Sequence, residues 1–383
     1  MVGDQPFTLG VEEEYLLIDP TTRDLVSTVP KELLRECELR VGGQVTPEFL
    51  QSQIEVGTPV CDSVAEAGLQ LAFLRRTVSE VARNYGMEII AASTHPFANS
   101  GDQRTTDKER YRILARDFQG VARRLVISGM HVHVGIADED LRIDLMTQAR
   151  YFLPHLLALS TSSPFWEGTR TGLMSYRIAV WDEMPRTGLP EAFESYGEYE
   201  RHVRALVEAG LLEDATKIWW DIRPSARFPT LEMRITDVCT RLDDAVCIAA
   251  LYLCWLHMLF RLRRSNMHWR RYSAMLIGEN RWLAQRYGLS RGLVDFGEGR
   301  LVPCADLVDE IVTLLAEDAR QLACEAEIDH VRTILARGTS ADLQLRVYEQ
   351  SRSQGADERE ALQAVVDVLI RETVACCQPA PAE

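Results

Sequence analysis

The chain has 383 residues, 46% hydrophobic and 26% charged, with 42 basic against 57 acidic side chains and a net charge of −15. This is ordinary globular composition with ample material for a core. So acidic a chain argues against nucleic-acid binding through phosphates, which needs basic patches, but leaves room for a local basic pocket for a nucleotide.

The segment MVGDQPF has neither the basic nor the apolar region of a signal peptide. A strand is expected over about 7–19 and a second around QSQIEVGTPV. Ser63-Val-Ala-Glu66 is a capping-box pattern that opens a long amphipathic helix ending at Gly86. MEIIAAS follows as a strand that runs into the turn-like THPFANSGD, where His95 precedes Pro96 and reads as structural. A helix near 108–124 leads into the strand RLVISGMHVHVGI, and Asp138 caps a helix reaching about Ser160. The loop-rich segment STSSPFWEGTRTGLMSYR precedes a polar helix near 196–209 and two strands, IWWDIRP and TLEMRITD. From Arg241 onward the pattern is helical nearly to the loose tail QPAPAE. The longest apolar run, 246–260, is interrupted by His257 and falls short of the ~20 residues of a membrane span, so it reads as a core helix. His155, His202 and His268 also sit on helical patterns, where core or surface roles are the default.

The nine cysteines form no CxxC pair, and Cys247 and Cys254 lie in apolar helical pattern. Reduced, buried thiols and a cytoplasmic location are expected. Cys239 has no indicated histidine partner and is not read as a nucleophile. No repeat and no Pro/Gly/Ser linker divides the chain. The expectation is one α+β domain over 1–383: a mixed sheet and helices over 7–240, a mainly helical part over 241–376 and a tail over 377–383.

Four of the strands share a two-sided code, since side chains alternate between faces. In TLGVEEEYLLID, Leu9, Val11, Tyr15 and Leu17 point one way, and Glu12 and Glu14 the other. Glu13 falls on the apolar side, where that side meets solvent or a partner. Glu55 opposes Ile54 and Val56; His131 and His133 oppose Met130, Val132 and Val134; Glu232 and Arg234 oppose Leu231, Met233 and Ile235. A merely wet face usually shows Thr, Ser and Lys instead. If the strands are neighbours, the carboxylates crowd one surface and raise one another's pKa, which a bound cation relieves. Oxygen ligands with one histidine suit Mg²⁺ or Mn²⁺, and magnesium commonly also takes substrate phosphate oxygens. Arg234, on the face of Glu232, could then meet a phosphate.

The ordered set GVEEEYLLID, SGMHVHVGI, SSPFWEGTRTGLMSYR, WWDIRPSARFPTLEMRITDVC, ENRWLAQRYGL and ILARGTSADLQLRVYEQS resembles the carboxylate–amine ligases of the bacterial glutamate–cysteine ligase type 2 family, over about 7–351. The resemblance implies a glutamine-synthetase-like catalytic fold, a curved, mainly antiparallel sheet with helices outside. It implies ATP, magnesium and small-molecule substrates, with the γ-carboxylate of glutamate joined to the amine of cysteine. Carried over by motif, the metal ligands fall on Glu12, Glu14, Glu55, His131 and Glu232, and the ATP-phosphate arginine on Arg234. Glu13 takes no metal role, and His133 is less secure than His131. By family pattern Arg177 is preferred over Arg170 to hold the α-carboxylate of glutamate; Arg223, alternating with Trp219 and Asp221, reaches the same pocket. ENRW opens a helix with Asn280 and Arg281 in its first turn and has no evident physical role. A homodimer would be unsurprising; nucleic acid and membrane partners are not expected.

Three other classes compete. HVH resembles the HxH zinc pair of amidohydrolase barrels, which need eight βα units and further ligands at strand ends. A binding protein that has lost turnover has no reason to keep five metal ligands and the arginine. A guanidino kinase shares the ATP–metal–carboxylate logic but releases a stable phosphorylated product.

Overall fold

The computed structural model describes residues 7–375 and Cys377. Residues 1–6 and 378–383 lie outside the described residues, and with them most of MVGDQPF and the expected tail. The strands are β1 Leu9–Ile18, β2 Val45–Pro47, β3 Gln53–Gly57, β4 Glu88–Ile90, β5 Met130–Gly135, β6 Phe165–Trp166, β7 Thr169–Arg170, β8 Ile222–Pro224, β9 Thr230–Met233, β10 Leu293–Asp295 and β11 Arg300–Val302. Seven of them form one sheet in the order β2-β3-β1-β5-β9-β8, with β4 also paired to β1. Every pairing in it is antiparallel. That topology is not a barrel of βα units, so the amidohydrolase reading of HVH has no scaffold here.

The helices that position the site are α1 Lys31–Val41, α2 Val64–Asn84, α3 Glu109–Arg123, α4 Glu139–Ala149, α5 Leu153–Ser160, α6 Tyr176–Trp181, α7 Tyr196–Glu208, α8 Leu242–Arg264 and α9 Ala274–Tyr287. Ser63 caps α2 by accepting from the Glu66 amide, while the Glu66 carboxylate accepts from Asp62 N rather than from Ser63 N. Half of the expected box is therefore made, shifted outward by one residue. Asp138 caps α4 through Leu141 N, but the helix breaks at Arg150–Phe152 before α5, which carries Pro154 in its first turn.

The alternation holds in three dimensions. Leu9, Val11, Leu17, Ile54, Val56, Met130, Val132, Val134, Leu231 and Met233 belong to one buried cluster with α2 and α8. The apolar run of α8 is that core: it is long and apolar enough to cross a membrane but mostly buried against the protein. The same cluster holds Cys247 and Cys254, and the eight described cysteines are free, buried thiols.

Two expectations are corrected. The chain beyond Arg241 is not all helical: β10 and β11 form a hairpin, in which Asp295 Oδ1 accepts from Gly297 N and Glu298 N and Gly299 takes φ 69°. ENRW does not open a helix. Ser273 caps α9 at Leu276 N, so Asn280 and Arg281 sit in its middle.

Candidate active site

Strand register builds the site. Glu14 lies directly opposite Glu55 across β1 and β3, Glu12 opposite His131 across β1 and β5, and His133 opposite Glu232 across β5 and β9. The face they share opens into a cleft of about 520 Å³ lined by Glu12, Glu14, Glu55, His131, His133, Arg177, Arg223, Glu232 and Arg234. All the sequence-predicted site residues thus line one cavity, but they divide into two groups. Glu12, His131 and Glu232 bring ligand atoms within 4.8 Å of one another, and Glu14, Glu55 and Glu48 do the same beside them.

Glu48 is the ligand-type residue the sequence reading missed. It follows β2 in the loop to β3, outside any strand alternation, and its Oε2 accepts from Phe49 N at 3.0 Å. The Pro47-Glu48 step after a short strand was the only signal available.

The two groups differ electrostatically. Burial opposes the charge on Glu12, but the hydrogen bond with His131 and the charge of nearby His133 outweigh it and hold the carboxyl well below its usual range. Burial likewise opposes the charge on Glu232, and the Arg234 and Arg223 guanidinium groups overcome it. Arg223 grips Glu232 with Nε at 2.8 Å and a second nitrogen at 3.2 Å, and Arg234 donates to the same carboxylate. In the other group, burial and the charge of Glu55 push Glu14 up to about 7. Burial, Glu48 and Glu12 push Glu55 up to about 8. Three converging carboxylates, with the pKa of Glu14 and Glu55 held up, are a donor set for a hard divalent cation with oxygen preference, and they fit Mg²⁺ or Mn²⁺.

His131 is kept neutral, its pKa pushed down to about 4 by burial and by Arg234. Its Nδ1 lies 3.2 Å from Glu12 Oε2 and 3.4 Å from an Arg234 nitrogen. His133 pairs Nδ1 with the Thr230 hydroxyl at 3.0 Å, and its Nε2 stands 3.4 Å from Glu12 Oε1, outside hydrogen-bond geometry. It therefore supports Glu12 rather than joining the ligand groups.

The arginines have distinct surroundings. Arg234 keeps a buried Nε with no hydrogen-bond partner among the described residues, a donor available to an anion. Arg223 spends its remaining nitrogen on the carbonyls of Ile218 and Thr216. Arg177, on α6, is buried and donates to the carbonyls of Ile235 and Arg234. Gly129 makes room for it: a Cβ there would stand 2.5 Å from an Arg177 nitrogen. The Gly129 amide also donates to Glu14 at 2.7 Å. Arg170 lies on the surface, paired with Glu349.

Other motif residues are scaffolding. Asp221 turns away from Arg223 to meet Arg281, which also holds Asp182 through two nitrogens. Buried Asp237 accepts from Ser162 N, Ser163 Oγ and Ser175 Oγ, which ties down the Ser-rich segment carrying Arg177. Cys239 is buried with its thiol pushed up by burial, which suits no nucleophile.

A model of the glutamate-cysteine ligase family 2 matches residues 8–367. The chain is 62% identical over 373 residues to a Rhodospirillum rubrum protein named "Putative glutamate--cysteine ligase 2", covering 96% of each. It is 52% identical over 370 residues to a Jannaschia sp. protein of the same name, covering 97% of each. Among solved structures, glutamate–cysteine ligase from Francisella tularensis in complex with AMP is similar at TM-score 0.66 and 13% identity, over 97% of this chain and 93% of that one. The bifunctional glutathione synthetase of Pasteurella multocida gives TM-score 0.67 and 16% identity over 97% of this chain, which spans 52% of that longer one. At such low identity these two structures establish the fold, the one expected from the sequence.

Proposed function

The chain belongs to glutamate-cysteine ligase family 2, and from that premise we propose that it is an ATP-dependent carboxylate–amine ligase joining the γ-carboxylate of L-glutamate to an amine, with L-cysteine the acceptor the family name supplies. The observation that carries this reading is the strand register that lays two ligand groups and Arg234 along one cleft wall.

A carboxylate does not condense with an amine at neutral pH, because oxide is a hopeless leaving group. Transfer of the γ-phosphoryl of ATP to the carboxylate gives an acyl phosphate, from which phosphate departs when the amine attacks. Magnesium or manganese, held by Glu14, Glu48 and Glu55 and by Glu12, His131 and Glu232, would supply positive charge against the phosphate oxygens. The chain's own residues do the rest by position and charge. Arg234 offers its unpartnered Nε to a phosphate oxygen. Arg223 fixes the orientation of Glu232, and the Gly129 amide fixes Glu14. Arg177 is the candidate for the α-carboxylate of glutamate, for which it would exchange its bonds to the carbonyls at 234 and 235.

The test is formation of ADP and phosphate from ATP and Mg²⁺ with glutamate, across a panel of amines that includes cysteine. Release should need both glutamate and an amine, and should fall by about two orders of magnitude or more in Glu12→Gln and Glu232→Gln. Well-folded protein without amine-dependent release would overturn glutamate ligation and direct the search to other carboxylates.

A further inference from the structure

The cleft is asymmetric. At the end formed by the β8–β9 turn and residues 213–217, its wall carries Lys217, Arg223 and Arg227 beside Glu213 and Asp214. Another part of the lining carries Leu114, Leu125, Ile127, Trp181, Met184 and Trp219. These six come from α3, the chain entering β5, α6 with its exit, and the approach to β8, yet they belong to one contiguous apolar cluster. The Trp181 and Trp219 rings stand 6.3 Å apart, edge to face, and Phe118 of α3 braces Trp219 at 5.8 Å.

This wall adjoins the ligand groups. The Ile127 carbonyl accepts from Gln53 Nε2 at 2.7 Å, and two residues later the Gly129 amide holds Glu14. The Arg234 guanidinium lies 5.9 Å from the Trp181 ring centre. The indole N–H of Trp181 is already committed to the Trp219 carbonyl, so its ring offers the cleft an apolar surface.

We propose that this wall is the acceptor subsite and that it takes a primary amine bearing a large apolar group, aromatic or branched aliphatic, in preference to cysteine. The inference rests on the ligase reading. The phosphates of ATP need cations, which Arg234 and metal at the two carboxylate groups would supply, and not apolar side chains. Glutamate is polar at both ends and finds no charge partner among six apolar side chains. The nucleobase of ATP and the substituent of the amine remain, and of the two it is the amine that must reach the acyl carbon beside Arg234 and Glu14, which this wall adjoins. In such a pocket each added methylene is worth on the order of 10-fold in kcat/KM, so a CH₂SH group leaves most of the wall unused. In the step itself the amine nitrogen attacks the carbonyl carbon of the acyl phosphate. The C–N bond forms, the C–O bond to phosphorus breaks with its electron pair going to phosphate, and the nitrogen's proton ends on the departing phosphate.

The experiment measures glutamate-dependent ADP formation with phenethylamine, isoamylamine, phenylalanine, leucine, cysteine, glycine and hydroxylamine. The best large apolar amine should exceed cysteine by 10-fold or more in kcat/KM. Leu114→Ala and Met184→Ala should each lower the ratio of large-amine to hydroxylamine kcat/KM by 10-fold or more, with the KM for ATP within 3-fold of wild type. Cysteine or glycine matching the large amines would overturn the inference and leave the ligase reading intact. A rise in the KM for ATP in the variants would also overturn it, since the wall would then hold the nucleobase. No glutamate-dependent ADP formation with any amine would overturn the ligase reading itself.

Discussion

Glu12, Glu13 and Glu14 are chemically identical and do opposite work. Glu12 and Glu14 face the cleft, whereas Glu13 is fully buried on the core side of β1. There Arg75 of α2 grips it through two nitrogens at 2.5 and 2.7 Å, and the Tyr15 hydroxyl donates at 2.6 Å. Arg75 also donates to the carbonyls of Cys239, Thr240 and Thr373, so one guanidinium ties β1 to the chain after β9 and to the last helix. The partner anticipated for Glu13 is therefore a buried cation, and solvent is excluded. A buried carboxylate left unpaired is costly, so Arg75→Ala should lose about 3–5 kcal/mol of stability. Urea unfolding of Arg75→Ala beside the double variant Glu13→Leu/Arg75→Met checks this; the double variant should recover much of the loss.

At the scale of elements, α9 explains residues to which the sequence assigned no work. Asn280 donates to the Val294 carbonyl and accepts from the Val294 amide, both at 2.8 Å, so its side chain behaves as a third strand beside the β10–β11 hairpin. Arg281, one residue on, anchors α9 to Asp182 after α6 and to Asp221 before β8. Both contacts join segments far apart in sequence, which no local pattern discloses. Asn280→Leu leaves a backbone donor and acceptor without their partner and should cost about 1–3 kcal/mol. Hydrogen exchange should locate the loosening at Val294, with the strand pairing of β1 and β5 unaffected.

At the scale of the whole molecule, buried histidines make stability depend on pH. His95 is buried with Nε2 bonded to the Arg23 carbonyl, while Nδ1 accepts from Phe97 N and Ala98 N. Only the neutral ring can make this set. Burial pushes its pKa down to about 4; the Asp24 carboxylate acts in the opposite direction and Arg359 reinforces the fall. The unfolded chain thus takes up a proton near pH 6.5 and the folded one only near 4. The contribution of His95 is complete above about pH 6.5, is lost as pH falls toward 4, and levels off below. The loss amounts to about 3 kcal/mol. Urea midpoints from pH 7 to 4 should fall more steeply for wild type than for His95→Asn, and parallel curves would show that His95 does not titrate in this way.

Strand alternation was legible in the sequence because a period of two is local: it put Glu12, Glu14, Glu55, His131, Glu232 and Arg234 each on the polar face of its own strand before any pairing was known. The family resemblance carried the family and the fold. Only the tertiary structure decided that Glu12, His131 and Glu232 cluster apart from Glu14 and Glu55, because grouping depends on which residues face each other across β3, β1, β5 and β9. It alone brought in Glu48 from a loop, paired Glu13 with Arg75 across 62 residues of chain, and set Gly129 against Arg177. Each of these contacts is made through space between segments whose separation along the chain fixes nothing about their distance, and that is information a one-dimensional pattern does not contain.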